Sequence, residues 1–298
     1  MLVPVVLALA AAPACSLRAL AVNQLGAALA GSSSGWASDD DLELVRDATP
    51  FALKTMESLL ASSPDNRDLL LATASGFTQY SYVYVHTEAD YVEGRDLAAA
   101  TAMRERARRL YRRAIGYGMR GLVVGRPSFA AGLRRDAAGE LRSLGREDVA
   151  LLYWTSAAWG ALISLSKDDG DVAGDLPLVE TMMGRARELD PSFGDGAIWD
   201  FFIAMEGGKP AAAGGSATRA REAFDRAVAI SQGRRAAPYV SLAESVAVSA
   251  QDRAEFQSLL RQALAIDPDA APEQRLANLV AQKRARWLLA RADELFIE

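Results

Sequence analysis

The sequence predicts an all-α protein in which helical hairpin repeats stack as a solenoid. Three observations carry the prediction. Apolar residues recur at helical spacing along almost the whole chain. Ala, Leu, Arg and Glu, all strong helix formers, dominate those segments. No run alternates β-branched with polar residues as a strand would. Among the 298 residues, 50% are hydrophobic and 24% charged, the balance of a soluble globular protein. A net charge of −5 argues against a nucleic-acid binder, which needs a basic surface. A single Cys excludes an intramolecular disulfide, and a single His excludes metal sites built from several His. No cofactor and no metal site is predicted.

The segment Met1 to Ala12 is apolar throughout but too short to cross a bilayer core, which takes about 20 residues. Its length fits the apolar middle of a signal peptide, and Ala12-Pro13-Ala14 supplies small residues flanking a cleavage site. Cys15 follows at once. This placement predicts residues 1–14 as a lipoprotein signal and Cys15 as the lipidated first residue of the mature chain. A plain secretory signal cut at the same bond is the alternative. No Lys or Arg precedes the apolar run, and Ala12 and Pro13 stand where Leu and a small residue are usual. Residues 15–37 read as a tether, with Gly31-Ser32-Ser33-Ser34-Gly35 as a flexible, helix-breaking linker. Residues 38–298 form the helical domain.

Ser38 before Asp39, Asp40 and Asp41 reads as a helix N-cap with acids in the first turn. Thr49-Pro50 repeats the signal, with Thr as cap and Pro at the first helical position. From Phe51 to Leu60 the apolar residues at 52, 53, 56, 59 and 60 form one stripe, and Pro64 ends it. Further helices are predicted over 67–84, 96–114, 148–165, 176–189, 195–205, 218–230, 238–248, 252–266 and 272–296.

The helices carry an internal repeat. Ala107, Tyr111 and Ala114 have the small–large–small spacing found in the second helix of a tetratricopeptide (TPR) unit, and Ala220, Phe224 and Ala227 repeat it. Met183, Ala186 and Pro191 fit the large–small–Pro part, as do Leu260, Ala263 and Pro268. The small residue admits the partner helix, the large one fills the next gap, and Pro ends the helix. The alternative is a generic Ala-rich bundle.

Apparent chemical motifs mostly dissolve. Gly116, Gly118 and Gly121 spell G-x-G-x-x-G, but a helix precedes them where a dinucleotide site needs a strand, so they read as a helix end. Gly208-Lys209 lacks the rest of a phosphate loop. Asp168-Asp169-Gly170-Asp171 lacks EF-hand spacing and reads as an acidic turn. Arg104, Arg106, Arg108, Arg109, Arg112 and Arg113 make either a phosphate-binding ridge or, in a chain of net negative charge, a solvated face. His86 has no visible nucleophile or orienting acid and reads as a surface or capping residue. Phe77, Tyr80 and Tyr84 share one helical face, and Trp154 and Trp199 mark two others. All five are core residues or the lining of a ligand-binding surface.

Longer phrases are more specific. They are FALKTMESLLASSPDNRDLLLATASGFTQYSYVYVHTEAD at 51–90, WGALISLSKDD at 159–169, FGDGAIWDFFIAMEGG at 193–208, PYVSLAESVAVSAQDRAEFQSLLRQALAIDPD at 238–269 and RLANLVAQKRARWLLARADELF at 275–296. They resemble the T-component (TatT) family of tripartite ATP-independent periplasmic (TRAP) transporters over essentially the whole mature chain. The resemblance implies a periplasmic lipoprotein with a TPR-like fold and no catalytic residues, anchored to the membrane only through lipid on Cys15. It further implies a homotrimer that associates with a TRAP periplasmic solute-binding protein and handles a hydrophobic or amphipathic organic acid through an apolar pore or cleft. Phe77, Tyr80, Tyr84, Trp154 and Trp199 are the lining candidates from helical faces. Ser16 after Cys15 points to the outer membrane under the sorting rule of enteric bacteria. A TPR scaffold that docks envelope proteins without a small ligand is the other reading.

Overall fold

Asp41, not Ser38, starts the first long helix. Its carboxylate accepts from the N–H groups of Glu43 and Leu44, while the Ser38 hydroxyl turns back to the Gly35 carbonyl. The structure, a computed structural model, describes residues 33–297, so the signal segment, Cys15 and most of the tether lie outside the described residues. The described part of the tether, Ser33–Ala37 (α1), forms a helical turn where a helix-breaking linker was expected. It rests against the last long helix, and tertiary packing overrides the weak local preference of Gly and Ser.

Helix α2 (Leu42–Ser62) runs straight through Thr49 and Pro50, which do not begin a new helix. Pro50 has no N–H to give the Arg46 carbonyl four residues back, and the Thr49 hydroxyl donates to the neighbouring Val45 carbonyl at 2.6 Å. Asn66 caps α3 (Arg67–Ser81), which widens into a π turn over Tyr82–His86 and continues as α4 (Thr87–Glu93). Next come α5 (Leu97–Val123) and two short unpredicted helices, α6 (Phe129–Arg135) and α7 (Ala137–Leu141). Val149–Ser164 is α8, and Asp169 caps the turn Gly170–Ala173 (α9), as the acidic-turn reading had it. Helix α10 (Leu176–Leu189) leads to α11 (Phe193–Gly208), whose regular part begins after three left-handed residues, Gly194, Asp195 and Gly196. Then follow α12 (Ala217–Ser231), α13 (Ala237–Leu242) with a second π turn over Ala243–Ala247, α14 (Arg253–Ala265), α15 (Arg275–Ala290) and α16 (Ala292–Leu295). The protein is all-α, and no strand occurs among the described residues.

Helices pack largely in chain order: α3 on α5, α5 on α8, α8 on α10, α11 on α12, and α14 on α15. The last long helix, α15, then returns to α1 and α2. Arg275 donates to the Ser38 carbonyl at 3.0 Å, and Lys283 pairs with Glu88. Ala107, Ala114, Ala186, Ala220, Ala227 and Ala263 are fully buried, as the small-residue spacing predicted.

The glycines of the G-x-G-x-x-G string do not end α5; they lie inside it. Gly118 and Gly121 are buried where α5 crosses α8. A Cβ on Gly118 would lie 2.1 Å from the Thr155 hydroxyl, and one on Gly121 would lie 2.6 Å from a Leu151 methyl. The string is a close-approach surface, and only the missing side chains let the two backbones come so near. A Cβ on Gly116 meets nothing within 4 Å. Gly118→Ala is therefore expected to cost roughly 1–3 kcal/mol by overpacking. Gly116→Ala, on the same helix, should stabilise by about 0.5–1 kcal/mol through backbone entropy. Urea unfolding of the two variants should give opposite signs.

Candidate functional site

Both π turns sit where distant parts of the chain meet. In the first, the Thr87 N–H reaches back five residues to the Tyr82 carbonyl; in the second, Val248 does the same to Ala243 at 3.2 Å. Such widened turns frequently mark functional sites. Here they present Tyr82 and His86 from one side and Glu244 from the other, with Arg284 of α15 between.

Arg284 donates to one oxygen of Glu244 from Nε at 3.0 Å and from Nη2 at 2.7 Å. Its Nη1 lies 3.0 Å from Asp90 Oδ2. Asp90 accepts in turn from Arg104 at 2.9 Å, and Arg104 donates to Glu93 at 2.7 Å. The result is an alternating ladder, Glu93–Arg104–Asp90–Arg284–Glu244, that joins α4, α5, α15 and the second π turn. Burial opposes the Arg284 charge, but Glu244 and Asp90 outweigh it and hold its pKa above the ordinary value. Arg104 is likewise raised, chiefly by its bond to Glu93. The guanidinium of Arg284 also stacks on Trp287, 4.4 Å from the ring centre, and Tyr91 packs on Trp287 at 5.2 Å.

Tyr82 keeps 46% of its surface accessible. Its hydroxyl is nevertheless desolvated, which pushes its pKa up to about 12, with Glu244 adding to the shift. Glu244, Arg284, Tyr91 and Asp90 all act on it, and its ring stands edge-on to His86 at 6.1 Å. His86, expected at the surface, is instead half-buried beside it. The ring shares a hydrogen bond with the buried Tyr111 hydroxyl at 3.2 Å. Desolvation lowers its pKa to about 4; Asp90 opposes this, while Arg284 and Arg104 reinforce it. A second interior group pairs Arg235 with Asp200 beside Tyr153. Burial raises the Asp200 pKa against the pull of Arg235, and burial also raises that of Tyr153.

The predicted lining residues scatter. Phe77 is buried and stacks on Tyr117. Tyr80 is buried, with the Arg106 guanidinium donating to its hydroxyl at 3.2 Å. Tyr84 is half-buried against Tyr80 and borders a cleft of about 50 Å³ with Leu42, Arg46 and Lys283. Trp154 is half-buried edge-on to Tyr153. Trp199 borders a larger groove of about 710 Å³, its Nε1–H donating to the Pro191 carbonyl at 2.9 Å and Arg187 lying over its ring. Tyr82, Asp90, Glu244 and Arg284 escaped sequence reasoning. Helical periodicity cannot register a π turn, and partners nearly 200 residues apart leave no local signal. The stretch YVYVH, three aromatic rings within five residues, was the one available pointer.

The described residues form an all-α domain in which no helix is long and apolar enough to span a membrane. The family model for the TRAP transporter T-component matches residues 38–296, and the chain belongs to that family. Membership makes it a component of a TRAP transport system, associated with the cell envelope. It is also 29% identical over 302 residues to an uncharacterized protein of Treponema pallidum (strain Nichols), covering 95% of this chain and 94% of that one.

Two measurements test the site. His86 has a lower pKa folded than unfolded, so the unfolded chain takes up its proton first. Stability should fall as pH drops from about 6.5 toward 4, and His86→Gln should flatten that part of the profile in urea titrations. Arg284→Gln takes away the ion pair of Glu244 and leaves Asp90 with Arg104 alone. It should cost roughly 1–3 kcal/mol, less than in a fully buried pair, because the two side chains keep 22% and 30% of their surface.

Proposed function

We propose that the protein is a non-enzymatic accessory of TRAP transport that binds the periplasmic solute-binding protein. In this reading it holds a hydrophobic or amphipathic organic acid against the face around Tyr82. The carrying observation is Tyr82, part-accessible beside the His86 ring and the charges of Glu244 and Arg284. Family membership supplies the transport setting. The charges beside Tyr82 are matched along the ladder and His86 is held neutral, which suits a face that holds or passes a ligand more than one that exchanges protons. The buried alanines at helix crossings support TPR-like hairpins stacked as a solenoid. The homotrimer, the cleaved signal, lipid on Cys15 and placement at the periplasmic face of the outer membrane belong to the same proposal. Trp199, Tyr84 and Trp154, which border open space or stay part-accessible, are better lining candidates than the buried Phe77 and Tyr80.

Native mass spectrometry of protein extracted gently from membranes is the test. The expected spectrum shows three copies of the chain, a solute-binding protein and an added organic mass. Tyr82→Ala should lose the organic mass while the melting temperature holds, since the side chain is not packed in the core and no charge is added beside Glu244. Recovery of assorted envelope proteins without a solute-binding protein would replace this reading with a TPR scaffold that carries no small ligand.

A further inference from the structure

Helix α5 carries a second feature separate from the face around Tyr82. Arg104, Arg108 and Arg112 lie at four-residue spacing along it, with Arg109 beside them. Arg104 is consumed by the charge ladder, Arg106 by Tyr80, and Arg113 pairs with Glu57 at 3.5 Å. Arg108, Arg109 and Arg112 form no ion pair among the described residues. All three line a cavity of about 240 Å³ between α5 and the turn after α8, together with Ser166 and, from the acidic side, Glu105, Asp168 and Asp169.

Two atoms in this cavity are under-satisfied. Ser166 is 1% exposed, and its hydroxyl has no hydrogen-bond partner. The Nε–H of Arg108 is buried and equally unpartnered. Leaving buried polar groups unmade is costly, so such groups call for an unseen partner. Arginine donates only, and a serine hydroxyl has a proton to give. Four groups able to donate therefore converge from two elements on one space, and the matching occupant is an acceptor with oxygens pointing several ways. We propose that this cavity is an oxyanion site whose ligand is a phosphate group, free or as the phosphodiester of a lipid headgroup. A tetrahedral phosphate offers more acceptor directions than a planar carboxylate, and guanidinium forks match it geometrically. Asp169 is engaged in capping α9 through the N–H groups of Asp171 and Val172. Glu105 and Asp168 are exposed at the rim, where they oppose highly charged anions and favour a singly charged ester.

Titration calorimetry of the full-length protein in detergent provides the test, with inorganic phosphate, glycerophosphoethanolamine and acetate as probes. The expected result is saturable, salt-sensitive binding of a phosphate probe and none of acetate. Binding of the diester identifies a headgroup, and binding of inorganic phosphate alone identifies the free anion. Arg108→Gln should weaken binding by about tenfold or more, the value of a charge-assisted hydrogen bond. Ser166→Ala should weaken it several-fold without lowering the melting temperature of the empty protein, since it deletes an unpaired buried hydroxyl. Absence of saturable binding by either phosphate probe, or unchanged affinity in both variants, would overturn the site.

Discussion

The alternating charges Glu93–Arg104–Asp90–Arg284–Glu244 tie helices from both ends of the chain together. Helix α15 packs on α13 and α14 through core residues such as Ala285 and Leu288, and these charges add its link to α4 and α5. With them, a guanidinium from the end of the chain is wedged between two carboxylates from its first and last thirds. Each inner member of the ladder has an opposite charge on both sides, and the rings of Tyr91 and Trp287 lie against Arg284. That geometry allows five charges to sit in partly desolvated surroundings without one of them being left alone, the condition under which such groups are tolerated. The ladder also sets the environment of Tyr82 and His86: its carboxylates discourage ionisation of the phenol, and its arginines discourage protonation of the ring.

The ladder depends in turn on how α5 is held. Helix α8 has no polar face; it touches α3, α5, α10 and α11, and its residues contribute to both larger core clusters. Its Thr155 and Leu151 fill the spaces left by Gly118 and Gly121, which fixes the height at which α5 crosses it. A fully buried Asp148 at the start of α8 accepts from Arg67 of α3 and from Arg126 just beyond α5, locking the same three elements at their other end. Arg104 and Tyr111 extend from the opposite half of α5. The position of the site around Tyr82 is thus inherited from a glycine contact two to four turns away.

Much of this was legible in the residues. The helical segments, the alanines at crossings and the acidic turn at Asp169 all follow from local rules, because period, small size and capping are local properties. Ser38 and Pro50 were misread for the same reason: a cap or a proline supplies a signal, and tertiary contacts choose among competing ones. Asp41 outcompetes Ser38 because its carboxylate reaches two N–H groups, and α2 runs through Pro50 because Val45, Leu53 and Leu60 along it are buried. The glycine string failed differently. Its spacing indicates that side chains are absent, not why, and a buried crossing leaves the same letters as a helix end.

The arginines of α5 show where sequence ran out most clearly. Arg104, Arg108 and Arg112 occupy one stripe and cannot be told apart by spacing or composition. Three-dimensional packing gives them different fates. At Arg104 the stripe meets Asp90 and Glu93 from α4, and the charge is neutralised inside the protein. One and two turns later it meets the Ser166 turn, whose nearby acids stand at the rim or already cap a helix, and the charges stay unmatched. A single basic stripe therefore serves two ends: one half ties helices together, and the other leaves hydrogen-bond donors waiting for an acceptor. The sequence shows a row of positive charge; the distinction between scaffold and site lies wholly in what the fold brings opposite each residue.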